Sequence, residues 1–226
     1  MYERGDLKVL HEPFIYLYYV GDAKKNLKFF EIDPQHPTSY GAIRNMILDA
    51  AERGPVFFKD MSYYITDYIF DDPDFIHRVT NTFLIRNPRQ SIPSYYNLDE
   101  CVLSEEIGLE AQWQHFEFVQ KITQSNPIVI DAEELQANTE TVIRYYCRLL
   151  GLDFLKSSLS WDRAVPAEWQ HLAGWHGDLD QTAGIGNKQP QKRSVEDDPH
   201  LRSLFEHHDP FYQNLKKYCC VDMERC

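Results

Sequence analysis

Four short apolar runs, each stopped within a residue or two by a charge or a proline, set the strongest limit on how this chain folds. They are Lys8 to Leu10 ahead of His11-Glu12-Pro13, Val56 to Phe58 ahead of Lys59-Asp60, Thr82 to Ile85 ahead of Arg86-Asn87-Pro88, and Ile128 to Ile130 ahead of Asp131. Runs this short and unbroken fit strands of a parallel sheet covered on both faces, where no alternation with polar residues is needed. Helical stretches lie between them. Thr38 or Ser39 is placed to cap a helix bearing Ile43, Met46, Ile47 and Ala50, stopped by Gly54-Pro55. Leu103, Ile107, Ala111, His115, Phe118 and Ile122 mark one amphipathic helix over about 103–124. His115 falls on that stripe and reads as a hydrogen-bonded core residue. Asn138 caps a further helix carrying Val142, Tyr145 or Tyr146, and Leu149, with Gly151 past its end. The alternation predicts an α/β domain over residues 1–226: three layers, a mostly parallel sheet, helices on both faces.

Beyond residue 156 the periodicity fades, and 156–226 reads as a loop-rich region holding Gly174, Gly177, Gly184, Gly186 and the basic cluster Lys188, Lys192 and Arg193. A long irregular stretch in a compact chain is disordered or a functional lid. Lysine and arginine total 23 against 35 aspartates and glutamates, a net charge of −12 that argues against sequence-independent binding to nucleic acid or anionic lipid. An anionic ligand therefore needs a local basic pocket. No run is long enough for a spanning helix, and no signal peptide opens the chain, so the expected location is cytoplasmic. Five cysteines without a Cys-x-x-Cys pair predict no disulfide framework, and Cys219, Cys220 and Cys226 read as incidental thiols of an exposed tail. His171, His176, His207 and His208 match no ordinary metal spacing and read as a solvated surface group, so no metal is expected.

In a parallel sheet, ligands bind beyond the carboxyl ends of the strands. Three ends carry chemistry: His11 and Glu12, then Lys59 and Asp60, then Arg86 with Arg89. At the third, an arginine at the strand tip precedes the start of a helix that bears Ser94. A guanidinium fork, a serine hydroxyl and helix N-terminal amides together make a phosphate site. The alternative is an arginine paired with a surface carboxylate beside an ordinary turn.

Arg86-Asn87-Pro88-Arg89 followed by Ser94-Tyr95-Tyr96 resembles the 3′-phosphate-binding segment of sulfotransferases that use 3′-phosphoadenosine-5′-phosphosulfate. Ile130 to Leu135, then Asn138 to Gly151-Leu152, is similar to the strand, acidic turn and helix that follow in that family. The resemblance covers about residues 8–155, and His11-Glu12-Pro13-Phe14 looks most like a bacterial and aminotransferase-like branch. It implies a P-loop-type α/β fold, N-terminally shortened, and transfer of a sulfuryl group to a hydroxyl or amine of a small-molecule acceptor. It also implies that Arg86 and Ser94 hold the donor's 3′-phosphate, and that Trp175 to Gly186 fold back over the nucleotide, with Lys192 and Arg193 beyond it either touching phosphate or forming a solvated basic cluster of the loop.

The sequence departs from the family in two places. No Gly-x-x-x-x-Gly-Lys-Ser/Thr occurs, so the loop that cradles the 5′-phosphosulfate is missing, and Met1 to Asp6 look like the end of the helix that would follow it. Cytosolic members place a histidine two residues after a lysine at the second strand end, where this chain has Met61. Glu12 is then the candidate general base, provided burial or the donor's negative charge raises its proton affinity, with His11 in reserve. Two readings follow: a sulfotransferase, or a non-catalytic nucleotide-binding or interaction protein of that ancestry. The aromatic segments around Tyr16, Tyr18, Tyr19, Tyr63 and Tyr64 read either as acceptor contacts or as core. The acceptor and the oligomeric state have no sequence signature.

Overall fold

The computed structural model describes residues 1–25, 27, 28, 30–161, 183–185 and 193–219. The chain divides into two compact units, Met1–Tyr68 with Leu155–Ile185, and Ile69–Phe154 with Gly186–Cys226.

In the first unit, β1 (Lys8–His11) and β2 (Val56–Lys59) pair in parallel, with His11 opposite Lys59. Helix α1 (Tyr40–Ala51) connects back to β2, and its Ile43, Ile47 and Ala50 are buried as the spacing predicts. The helix expected to end at Asp6 is a single 3-10 turn, Tyr2–Arg4, closed by Gly5 at φ 72°. After β1 the backbone makes a π turn, Leu17–Gly21, a geometry frequent at functional sites. A Cβ on Gly21 would lie 2.1 Å from the Thr38 carbonyl oxygen. Gly21→Ala must therefore push these segments apart, and a loss of about 1–3 kcal/mol in chemical denaturation is expected.

Helix α2 (Thr66–Ile69) runs to the first residue of the second unit, in which α3 (Pro73–Arg78) follows. There β3 (Thr82–Ile85) and β4 (Ile128–Asp131) form another parallel pair. The strands lie where the sequence predicts, but they pair two by two. Burial on both faces is not observed. Phe83 and Val129 are buried on one face, whereas Leu84, on the other, is 55% exposed.

Helix α4 (Pro88–Leu98) follows β3, with Asn87 capping the Arg89 amide at 3.0 Å. The single long helix expected over 103–124 is two: α5 (Ser104–Ile107) and α6 (Leu109–Thr123). Gly108 separates them at φ 78°, a left-handed conformation that glycine adopts without steric cost. Helices α7 (Ala132–Ala137) and α8 (Thr139–Leu149) follow β4, with Val142 and Tyr146 turned inward.

The loop-rich reading of the C-terminal region fails at α9 (Pro199–Lys216), 18 residues long, with Asp198 capping the His200 amide at 2.8 Å. Leu201 and Leu204 pack with Ile92, Val102 and Val195 in a core between α9 and α4. Beyond it, Cys219 is half-buried and bridges Val129 alongside β4, so it does not belong to an exposed tail. Cys220 and Cys226 lie outside the described residues.

Two histidines of this unit also depart from expectation. His208, read as surface, is buried, with Nε2 donating to the Ser104 carbonyl at 2.8 Å and Nδ1 without a partner among the described residues. His115, read as hydrogen-bonded, has both ring nitrogens shielded and without a partner among the described residues; the nearest ring, Phe83, is edge-on at 5.5 Å. Burial pushes each imidazole down to about 4. The folded state thus binds fewer protons than the unfolded one, so stability is complete above the ordinary histidine value near 6.5 and is lost as pH falls toward 4. His115→Leu removes the unpaired nitrogens. It is expected to raise neutral-pH stability by about 1–2 kcal/mol and to flatten acid unfolding between pH 6.5 and 4, where His115 alone costs about 3 kcal/mol.

Candidate functional site

In the second unit, Arg86 follows the last residue of β3 and is half-buried. Its guanidinium makes no hydrogen bond or ion pair among the described residues. Burial pushes its proton affinity down, and the Glu133 carboxylate nearby partly restores it. The arrangement is not the surface ion pair of the alternative reading: Glu133 instead accepts the Asn87 amide through both oxygens, at 3.2 and 3.3 Å. Burial and the adjacent Asp131 raise the Glu133 carboxyl. Asp131, at the tip of β4, accepts the Glu133 and Glu134 amides at 2.9 and 3.1 Å and the Tyr212 hydroxyl at 2.9 Å. Burial opposes its ionisation, yet these donors and Lys216 outweigh it and hold the carboxyl low. Asp131 is thus a fixed helix cap.

Ser94, on α4, is half-buried, and its hydroxyl likewise has no partner among the described residues. The helix amides expected to join these groups are already satisfied. Asn87 takes the Arg89 amide on its side chain and the Gln90 and Ser91 amides on its carbonyl, both at 2.9 Å. Of the groups named for a phosphate site, Arg86 and Ser94 are the two left without a partner among the described residues. Arg89 is occupied elsewhere, ion-paired with Glu196 and stacked 4.3 Å over the Phe205 ring. Arg193 stacks 5.0 Å over Tyr96, two residues past Ser94. Lys192 lies outside the described residues, as do His171, His176 and nearly all of Trp175 to Gly186.

In the first unit, the register that sets His11 against Lys59 brings the next residues, Glu12 and Asp60, to adjoining strand tips. The Glu12 amide donates to the Lys59 carbonyl at 2.7 Å. Glu12 is 5% exposed and sits at φ 48°, an uncommon backbone state for a non-glycine residue. Its Oε1 is ion-paired with Lys59 Nζ, its Oε2 accepts the Tyr64 hydroxyl at 3.0 Å, and His11 Nε2 lies 3.9 Å from Oε1. Burial alone would push this carboxyl up, but Lys59, His11 and Tyr64 outweigh it and hold it below the ordinary glutamate range. The rise expected of a general base is therefore not found at Glu12.

It is found at Asp60, which sequence reading named only as part of a strand end. Asp60 Oδ1 accepts the Phe14 amide at 3.0 Å, while Oδ2 is shielded and has no partner among the described residues. Burial first, then the Glu12 charge, push this carboxyl well above the usual aspartate value, against the Phe14 amide and Lys59. The sequence signal was the adjacency of two strand-end carboxylates.

The tyrosines resolve as core. Tyr16, Tyr18, Tyr19, Tyr63 and Tyr64 are all buried, and Tyr18 meets Tyr19 and Tyr63 edge-on at 4.8 and 5.2 Å. Among the described residues there is no cluster of histidine, cysteine, aspartate and glutamate that could hold a metal, and no helix long and apolar enough to cross a membrane.

The described elements make a mixed α/β scaffold, and the family comparison gives the class: residues 1–219 match the family described as Sulfotransferase domain, to which the chain belongs. Among curated proteins it is similar to the branched-chain-amino-acid aminotransferase-like protein 2 of Arabidopsis thaliana, 31% identical over 108 residues, 47% of this chain and 19% of that protein. It is also similar to the aminotransferase-like protein 1 of the same plant, 27% identical over 147 residues, 64% of this chain and 26% of that protein. The matched segments thus cover about a fifth to a quarter of these relatives. No solved structure matches the chain.

Proposed function

We propose that the chain transfers a sulfuryl group from 3′-phosphoadenosine-5′-phosphosulfate to a hydroxyl or amine of a small-molecule acceptor. The observation that carries this reading is the half-buried Arg86 guanidinium with no partner among the described residues, in a chain of the sulfotransferase family. A cation left unsatisfied at a strand end is stabilised by an incoming anion. The donor's 3′-phosphate is such an anion, and the unbonded Ser94 hydroxyl is a second donor to it. Lys192 and Arg193 are assigned to the same nucleotide, and a three-layer, P-loop-type arrangement belongs to the same proposal. The two plant relatives support placing the chain in the aminotransferase-like branch, as its His11-Glu12-Pro13-Phe14 segment implies. At the tips of β1 and β2, the ionised Glu12 with Lys59, flanked by His11, supplies the charged groups around the reacting acceptor.

The test is calorimetric titration with adenosine 3′,5′-bisphosphate, followed by isotope-labelled donor and 2-naphthol as acceptor. Saturable binding and transfer of label to the naphthol are expected. Binding without transfer would leave a nucleotide-binding protein of sulfotransferase ancestry, and absence of both would reject the reading.

A further inference from the structure

Two carboxyl groups stand at the adjoining tips of β1 and β2, and their surroundings differ. Glu12 has every oxygen engaged, by Lys59 on one side and Tyr64 on the other. A carboxylate so held is a poor proton acceptor, because taking a proton means giving up two charge-assisted contacts. Asp60 has one oxygen fixed on the Phe14 amide and the other shielded with no partner among the described residues. Buried polar atoms in folded proteins are almost always paired, so an unpaired carboxyl oxygen at a strand tip calls for a hydrogen-bonding occupant. The backbone around it is also unusual: Glu12 takes a left-handed conformation, and a π turn begins three residues after Phe14, at Leu17. Such features persist where the surrounding structure holds them for a purpose.

We propose that Asp60 is the proton acceptor of the sulfuryl transfer and that Glu12 is a positioning residue acting through it. This assignment rests on the reading of the chain as a sulfotransferase. In the step, the acceptor oxygen or nitrogen forms a bond to sulfur. The bond from sulfur to the 5′-phosphate oxygen breaks, its electron pair staying on the phosphate. The proton leaving the acceptor passes to Asp60 Oδ2, directly or through one bridging water. Two neighbouring carboxyls pushed apart in proton affinity divide the work in the usual way, the higher one exchanging protons and the lower one staying charged. Among the described residues, the charged groups that act on Asp60 are Glu12 from the tip of β1 and Lys59 from β2, and Glu12 is in turn held by Lys59, His11 and Tyr64. Glu12 raises Asp60 and Lys59 lowers it, so turnover should rise with pH as Asp60 ionises, and removing the Glu12 charge should move that rise to lower pH.

Asp60→Asn separates chemistry from architecture, because the amide oxygen still accepts the Phe14 N–H while the group can no longer take a proton. With labelled donor and 2-naphthol, Asp60→Asn is expected to keep its affinity for adenosine 3′,5′-bisphosphate and to lose at least about 100-fold in kcat, within the range general-base removal costs. Glu12→Gln is expected to displace the acidic limb of the pH profile downward. An Asp60→Asn enzyme turning over at the wild-type rate, or a limb unmoved by Glu12→Gln, overturns the assignment while leaving the transferase reading in place. A wild-type chain that transfers no label rejects the reading and the assignment together. If Asp60→Asn does not fold, carbon-13 carboxyl NMR of the wild type decides: Asp60 titrating with the ordinary aspartates overturns the proposal.

Discussion

Replacing Arg86 by alanine is expected to weaken binding of adenosine 3′,5′-bisphosphate about 100-fold while changing folding stability by no more than about 0.5 kcal/mol. The first part follows from the strength of a charge-assisted guanidinium–phosphate contact. Each such hydrogen bond contributes about 1.5–3 kcal/mol, and a two-pronged contact near 3 kcal/mol corresponds to two decades in affinity. The second part follows from the lack of partners. Arg86 holds no other residue in place among those described, and burial already opposes its charge, so its loss leaves no orphaned acceptor. Arg86→Lys keeps the charge without the fork and should fall between wild type and alanine. Titrations at two salt concentrations, beside thermal melts, check all three proteins. An arginine serving only the fold would reverse the pattern, with stability lost and affinity kept.

The second large effect is structural. Lys59→Met should destabilise the protein by about 2 kcal/mol at neutral pH, because it strands an ionised, buried Glu12. The figure is below that for a fully buried pair because the Lys59 side chain is 42% exposed. The pH dependence has a definite sign. Glu12 is held low in the folded wild type, so the pair's contribution is present above the ordinary glutamate value and disappears as pH falls through the depressed one. The deficit of Lys59→Met should therefore shrink in acid, where Glu12 is neutral in both proteins. Lys59→Met with Glu12→Gln should recover most of the loss at neutral pH, since no unpaired charge then remains. Urea denaturation of the four proteins of this cycle at two pH values measures the coupling.

How much of this was legible in the sequence depended on whether the deciding contact was local. The strands read to within a residue, because each short apolar run ends at a charge or proline that marks the strand tip. The break at Gly108 escaped, because the apolar stripe from Leu103 to Ile122 continues through it and periodicity does not register a left-handed residue. Helix α9 escaped for a different reason. Its inward stripe of Leu201, Leu204, His208, Tyr212 and Leu215 has the right spacing, but a histidine in the stripe and Pro210 inside the helix disguise it. At the site, residue types at the strand ends were readable and their partners were not. Nothing in the order of residues says that Glu133 turns to the Asn87 amide and leaves Arg86 without a partner among the described residues. Nor does it say that Lys59 takes Glu12 and not Asp60. Those assignments depend on chain segments more than 40 residues apart meeting at neighbouring strand ends.

In the proposed complex, Arg86 and Ser94 grip one phosphate of the donor nucleotide. A crystal structure of the chain with adenosine 3′,5′-bisphosphate tests it directly. The predicted result is the 3′-phosphate within hydrogen-bond distance of both the Arg86 guanidinium and the Ser94 hydroxyl. A nucleotide bound elsewhere, with Arg86 turned onto Glu133 and Ser94 bonded back to its own helix, would contradict the account.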